Sequence, residues 1–75
     1  MARLKMTGRE LREIRRRVRM KQDQLGEVIG YHFTTISDWE RADAPVPHCV
    51  ALIATLLDTD PVTRDKIEKL VELQS

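Results

Sequence analysis

The side chains with the clearest capacity for chemistry lie in one short segment, "FTTISDWER" (33–41). Its polar groups recur at the three- and four-residue spacing that places side chains on one face of a helix. Thr34 and Ser37 can exchange hydrogen bonds with base edges or phosphates, and Asp38 can accept one from cytosine N4. The ring of Phe33 or the methyl group of Thr34 can pack on a thymine methyl. Presented together on one helical face, these groups have the chemistry to meet base edges and phosphates.

The rest of the chain offers little to a catalyst or to a metal ion. We can place no Ser/His/Asp arrangement, no glycine-rich phosphate loop and no pair of carboxylates in differing environments. His32 and His48 lack a partner at metal-ligand spacing, and the single cysteine, Cys49, lies in an apolar run where burial is expected. We therefore expect neither an enzyme nor a metal or other cofactor.

Five short helices are predicted to position the polar segment, because apolar residues recur at three- and four-residue spacing along the chain. Thr7 and Glu10 form a capping box that begins the first helix. Gly30 is placed to end the second in the left-handed conformation. Asp60, followed by Pro61, is a good cap for the fifth. No segment has a strand pattern, so the predicted class is all-α, with helices over 7–20, 22–29, 33–41, 46–57 and within 59–75.

Length and composition predict one domain of modest stability. The chain has 75 residues, 41% of them hydrophobic, and we divide it into a flexible arm (1–6), a core (7–58) and a C-terminal helix (59–75). No apolar run approaches the roughly 20 residues that cross a bilayer, and no signal-peptide pattern opens the chain, so we expect cytoplasmic residence and no membrane contact.

Charge is distributed unevenly along the chain. Residues 1–41 carry ten Lys or Arg against six acids, whereas residues 42–75 carry three against six. A basic half of this kind suits an anionic partner.

The two predicted helices on either side of Gly30 have the features of a rigid pair. Gly26 is the position at which two steeply crossed helices would come closest. A glycine inside a helix costs about 1 kcal/mol relative to alanine, so a packing reason is expected. Leu25, Ile29 and Ile36, together with Trp39, would hold the pair together. The outward side of the next helix then has the geometry of a recognition helix that enters a DNA major groove.

The spacing of Gln22, Leu25, Gly30, Ile36, Trp39 and Glu40 resembles that of the Cro/C1-type helix-turn-helix family, also called the XRE family. The resemblance extends through "LREIRRR" and "PVPHCVALIATLL" and covers about residues 7–58. It implies a five-helix, lambda-repressor-like DNA-binding domain with the helix-turn-helix at helices 2 and 3. The segment "MTGRELREIR" and the "APVP" ending most resemble small phage and plasmid regulators, including anti-CRISPR-associated repressors.

The resemblance also implies roles for individual residues. Gln22 matches a glutamine that contacts a phosphate and braces the recognition helix, and Arg15 and Glu40 match an ion pair between helices 1 and 3. We expect Arg16 and Arg19 to contact phosphates beside this unit. The remaining positions implied to meet bases or phosphates are Phe33, Thr34, Thr35, Ser37, Asp38 and Arg41.

The sequence departs from the family pattern at two positions. Lys21 stands where a Ser or Thr usually caps helix 2, a loss of about 1 kcal/mol. Asp43 stands where a glycine or a basic residue is common.

Two residues of the polar face keep more than one interpretation. Phe33 is expected to be exposed, where it would contact the DNA groove, contact a protein partner or fold back onto Tyr31. Asp38 would contact a base, face solvent, or form a salt bridge with Arg41 or Arg12.

We expect a sequence-specific transcriptional regulator, a dimeric repressor of its own or a neighbouring operon, bound to a palindromic double-stranded operator. The outward face formed by Phe33, Thr34, Ser37 and Asp38 lacks the usual Arg, Asn or Gln, so water, DNA shape or a basic arm with Arg3 and Lys5 would assist readout. Two alternatives remain, an antitoxin that grips a toxin and a protein-interaction module without DNA binding. The homodimer contact is expected in the last helix, through Ile67, Leu70, Val71 and Leu73.

Overall fold

The computed structural model describes residues 5–74. Within that range the chain forms five α-helices, and its only extended pairing is an isolated bridge between Thr7 and Pro45. The predicted all-α class is confirmed. None of the described helices combines the length and apolar character that crossing a bilayer requires. The helices are α1 (Gly8–Arg17), α2 (Gln22–Ile29), α3 (Phe33–Ala42), α4 (His48–Thr59) and α5 (Pro61–Gln74).

The hydrophobic core lies where α1, α2, α3 and α4 meet. α1 packs against α3 and α4, α2 packs against α3 and α5, and α5 also packs against α4. Because α3 contacts both α1 and α2, its inner face is fixed on two sides. The largest fully buried side chains come from all four of the central helices and are Leu11, Leu25, Ile36, Val50 and Leu57.

The first helix ends three residues before the predicted end at Met20. Arg19 takes the left-handed conformation, with φ of 59°, and its N–H donates to the carbonyl of Arg16 at 3.2 Å. The N–H of Met20 donates to the carbonyl of Arg15 at 3.0 Å. These two hydrogen bonds form a Schellman motif, which closes the helix. The left-handed position of this motif is usually a glycine, but here it is Arg19. The residue that follows, Met20, is buried in the core. The sequence prediction is wrong here because an arginine gives no signal of a left-handed position.

Met6 belongs to the folded domain and not to an arm. Its side chain is buried, and its carbonyl accepts a hydrogen bond from the N–H of Val46 at 2.9 Å. The N–H of Gly8 donates to the carbonyl of Ala44 at 2.8 Å. The segment before α1 is therefore paired with the loop before α4, which also explains why α4 begins at His48, two residues later than predicted.

Asp43 ends α3 and is also tied to the start of α1. It adopts the left-handed conformation with φ of 50°, and its Oδ1 accepts from the N–H of Arg9 at 2.9 Å. This backbone hydrogen bond is the main reason that the pKa of Asp43 lies below its ordinary value. Asp43, the residue that departs from the family pattern, therefore caps the start of α1.

Side-chain hydrogen bonds support two further helix starts. At α2 Lys21 makes no side-chain cap, but its own N–H donates to Oε1 of Gln24 at 2.8 Å, which is the half of a capping box that Gln24 supplies. At α5 the predicted cap is confirmed, since Oδ1 of Asp60 accepts from the N–H of Val62 at 3.1 Å and Oδ2 accepts from the Thr63 hydroxyl at 2.6 Å.

Candidate nucleic-acid interface

The turn between α2 and α3 is tight and is built on two glycines. Gly30 is left-handed, with φ of 79°, and its N–H donates to the carbonyl of Gly26 at 2.8 Å. The N–H of Tyr31 donates to the same carbonyl at 3.1 Å. A Cβ at Gly26 would collide with the carbonyl oxygen of Tyr31. The predicted packing role of Gly26 is confirmed, although its nearest neighbour is the turn itself and not the backbone of α3.

α3 has a sharply divided surface. Ile36 is fully buried, and Trp39 is half-buried with its ring edge-on to Tyr31 at a centroid distance of 5.0 Å. The opposite side carries residues at i, i+3, i+4 and i+7, a spacing that lines up side chains along one helical face. We call these four residues the outward stripe: Thr34, Ser37, Asp38 and Arg41.

Asp38 and Arg41 form an ion pair within the outward stripe. Nη2 of Arg41 lies 2.6 Å from Oδ1 of Asp38, and both side chains are largely exposed, at 77% and 66%. Exposed pairs of this kind contribute about 0–1 kcal/mol, so an approaching phosphate or base competes with the pair readily. One alternative given for Asp38, the salt bridge with Arg41, is therefore the arrangement of the DNA-free protein.

His32 caps α3, a role that the sequence analysis did not assign. The N–H of Thr34 donates to Nδ1 of His32 at 3.3 Å, and the hydroxyl oxygen of Thr34 lies 2.8 Å from the same nitrogen. The ring of Phe33 lies beside the His32 ring at 4.5 Å and an interplanar angle of 32°. Phe33 is 46% exposed and does not fold back onto Tyr31, so that alternative is wrong. A histidine before an apolar residue gives only a weak capping signal, which explains the omission.

A nearly buried ion pair locks α1 to α3. Nε and Nη2 of Arg15 donate to the two carboxylate oxygens of Glu40 at 2.8 and 2.9 Å, and Nη1 donates to the carbonyl of Met20 at 3.0 Å. Nε2 of Gln22 also donates to Glu40, at 3.3 Å. The predicted pairing of Arg15 with Glu40 is present, and Gln22 is hydrogen-bonded to the same carboxylate. One hydrogen of the Gln22 amide remains to meet a phosphate.

Arg12 is a candidate that the sequence analysis considered only as a partner for Asp38. It lines a shallow cleft between α1, α2 and α3 together with Gln22, Ser37 and Arg41. Arg17 of α1 pairs with Asp58 at 2.9 Å, but none of the ion pairs within residues 5–74 includes Arg12 or Arg16. Both side chains are exposed, and the place of Arg12 in this cleft puts its guanidinium group in a position to meet a phosphate. The signal for Arg12 was its placement one turn before Arg15, on the side of α1 that faces α3.

The structure does not gather every predicted contact residue at this surface. Arg19 lines a separate cleft between α2 and α5, beside Glu27 and Glu68. Thr35 is half-buried and lies one position away from the outward stripe. Lys5 is exposed, whereas Arg3 lies outside the described residues.

Comparison with known protein families agrees with this geometry. A family model described as a helix-turn-helix domain matches residues 7–67, which is more than half of the chain. The chain belongs to the helix-turn-helix family. This family lies in the XRE/Cro-like group, and α2 and α3 are the two helices of the motif. Membership implies a DNA-binding regulator. No curated protein and no solved structure matched the chain.

Proposed function

We propose that this helix-turn-helix protein is a sequence-specific repressor that binds operator DNA as a dimer and controls its own or a neighbouring operon. It acts without catalysis, in the cytoplasm or nucleoid, by occupying DNA that polymerase needs. The observation that carries the proposal is the outward stripe, a polar face with no packing role on a helix that is fixed from behind. Arg12 lines the cleft beside the outward stripe, and neither Arg12 nor Arg16 of α1 has an ion pair among the described residues.

Bound DNA would be contacted in two ways. The outward stripe enters the major groove and meets base edges, while Arg12, Arg16 and the amide of Gln22 meet the phosphate backbone. The Arg15–Glu40 pair keeps α1 and α3 in register, so that the phosphate contacts and the base contacts stay at a fixed separation. A rigid arrangement of this kind reduces the ordering cost of binding.

A dimer is proposed because one small domain covers too few base pairs for high specificity. In a two-fold dimer on a palindrome the recognition helices lie about 34 Å apart. Of the apolar residues named for the contact, Ile67 packs against the core, whereas Leu70 and Leu73 are 60% and 83% exposed. Leu52 and Leu56 of α4 are also exposed. We place the dimer contact on these exposed leucines, and a toxin bound there instead would make the protein an antitoxin.

The finer family placement is also a proposal. The resemblance of residues 7–58 to lambda-type repressors supports the Cro/C1 subtype and a source among small phage and plasmid regulators.

The test is a fluorescence anisotropy titration with the duplex upstream of the gene, repeated at several salt concentrations. Binding to that duplex is expected to be tighter than to random DNA and to weaken steeply with salt. Thr34→Ala and Ser37→Ala should reduce the preference for the operator. Arg12→Ala should weaken binding to every duplex and lower the salt slope by about 0.9 for each phosphate that the variant no longer neutralises. Lys66→Ala, which removes an exposed charge from α5, is the matched control and should change neither quantity.

Two results would contradict the proposal. Absence of affinity for any duplex at low salt would leave only the protein-interaction module. A salt slope that responds equally to Arg12→Ala and Lys66→Ala would show that net charge, and not this surface, drives binding.

A further inference from the structure

The contacts between His32 and Thr34 assign the hydroxyl hydrogen of Thr34 to the His32 ring. The backbone N–H of Thr34 approaches Nδ1 of His32 at 3.3 Å, and a backbone N–H can only donate. We assign Nδ1 as the unprotonated ring nitrogen on the basis of this contact. The Thr34 hydroxyl oxygen lies 2.8 Å from the same Nδ1, and in this tautomer the hydrogen of that contact comes from the hydroxyl group. The hydroxyl is left with only lone pairs to offer to any other partner.

Asp38, one helical turn later, also offers only hydrogen-bond acceptors. Its carboxylate has no hydrogen to donate, and Arg41 occupies one of its two oxygens. Thr34 and Asp38 are i,i+4 neighbours in the outward stripe, where side chains lie about 5–6 Å apart. Both side chains are exposed. Two hydrogen-bond acceptors thus stand side by side on the surface that faces DNA.

The major groove offers hydrogen-bond donors that can pair with these two acceptors. Its donors are the exocyclic amino groups of adenine (N6) and cytosine (N4), whereas guanine presents only the acceptors N7 and O6. An acceptor placed against guanine leaves two lone pairs facing each other and an unpaired buried polar group, which is unfavourable.

We propose that Thr34 and Asp38 of α3 read amino groups, so that the bases met by these two residues are adenine or cytosine and not guanine. His32 is the positioning residue that sets this polarity, because its Nδ1 holds the Thr34 hydroxyl hydrogen. The inference rests on the proposed DNA binding and adds the chemical class of base that this helix selects.

Substitutions at residue 32 distinguish the helix-capping role of His32 from its effect on whether the Thr34 hydroxyl donates or accepts a hydrogen bond. His32→Asn places an acceptor oxygen where Nδ1 lies and retains a good cap. His32→Ala removes the acceptor, so the Thr34 hydroxyl rotates and can donate to guanine. Thr34→Val keeps the shape and the methyl group of threonine but has no hydroxyl. Circular dichroism and thermal unfolding of each variant establish that it is folded before binding is measured.

The experiment selects duplexes from a library with a random core, using wild type and Thr34→Val in parallel. The base pair whose preference disappears in Thr34→Val is the one that Thr34 meets. At that position we expect adenine or cytosine in the wild-type selection. An analogue without the amino group, purine for adenine or 2-pyrimidinone for cytosine, should weaken wild-type binding about tenfold and leave Thr34→Val unaffected.

The variants of His32 complete the test. The ratio of affinities for the amino base and for guanine at this position should fall about tenfold in His32→Ala and be kept in His32→Asn. A wild-type preference for guanine there, no base pair that responds to Thr34→Val, or an unchanged ratio in His32→Ala would each overturn the inference while leaving operator binding intact. A library selection with no sequence preference at all would instead refute the proposed function, and the inference with it.

Discussion

The Arg15–Glu40 pair offers the sharpest test of how this domain is held together. We expect Arg15→Ala to lower the free energy of unfolding by about 3 kcal/mol. The Glu40 side chain is only 5% exposed and that of Arg15 15%. Removing Arg15 takes away both of its hydrogen bonds to Glu40, and the buried carboxylate keeps only the 3.3 Å bond from Gln22. Breaking a buried pair costs about 3–5 kcal/mol, and solvent access through the partly exposed Arg15 site favours the lower value.

The assay is urea unfolding followed by the fluorescence of Trp39, which is the single tryptophan of the chain. A domain of this length has a total stability of roughly 4–11 kcal/mol, so a decrease of about 3 kcal/mol is a large fraction. With a urea m-value near 1 kcal/mol/M, the midpoint should fall by about 3 M. Arg16→Ala is the control, since this exposed neighbour has no ion pair among the described residues and should change stability by less than about 0.5 kcal/mol.

A double-mutant cycle with Glu40→Ala separates the pair from other effects of Arg15. The double variant should be only slightly less stable than the less stable of the two single variants, which corresponds to a coupling energy of about 2 kcal/mol. Strictly additive losses, or an Arg15→Ala protein as stable as the Arg16→Ala control, would refute the view that this pair fixes α1 against α3.

Three further outcomes follow from the same structure. Gly8→Ala places a Cβ against the carbonyl of Trp39, and overpacking of about 1–3 kcal/mol should lower the melting temperature by at least about 4 °C in a calorimetric scan. Gly30→Ala meets no neighbour but must adopt φ of 79°, so chemical unfolding should show a loss of about 1 kcal/mol, and Gly30→Asn a smaller one. The hydrogen bond from Arg17 lowers the pKa of Asp58, so this group stabilises the fold above its unfolded pKa and loses that effect as pH falls through its folded pKa. Urea midpoints of wild type and Asp58→Asn should therefore converge on acidification, and a constant difference across the acid range would contradict the assignment.

Most of the fold could be predicted because its signals are local. α2 has the predicted bounds, and Gly30 and Asp60 end and begin helices as their residue types indicate. The failures share one cause, which is that tertiary contacts decided the local conformation. Arg19 became left-handed because Met20 packs into the core, and Met6 was ordered by pairing with Val46, more than thirty residues away.

The candidate site was predictable in its framework and less so in its details. Arg15, Gln22 and Glu40 were assigned from the family resemblance, and their hydrogen bonds agree with that assignment. Sequence spacing could not show that His32 caps α3, because a histidine serves many purposes at a helix start. It also could not place Cys49, which was expected inside but is exposed because it lies next to Val50 on the helix and about 100° around its axis.

The outward stripe has a consequence for how such a regulator changes over generations. None of its four side chains contributes to the buried core, and exposed positions of this kind tolerate replacement with little effect on stability. The core residues and the Arg15–Glu40 pair behind α3, by contrast, are not replaced without a loss of stability. Under the proposed function, a lineage can therefore acquire a new DNA target by substituting a few surface residues while the fold stays the same.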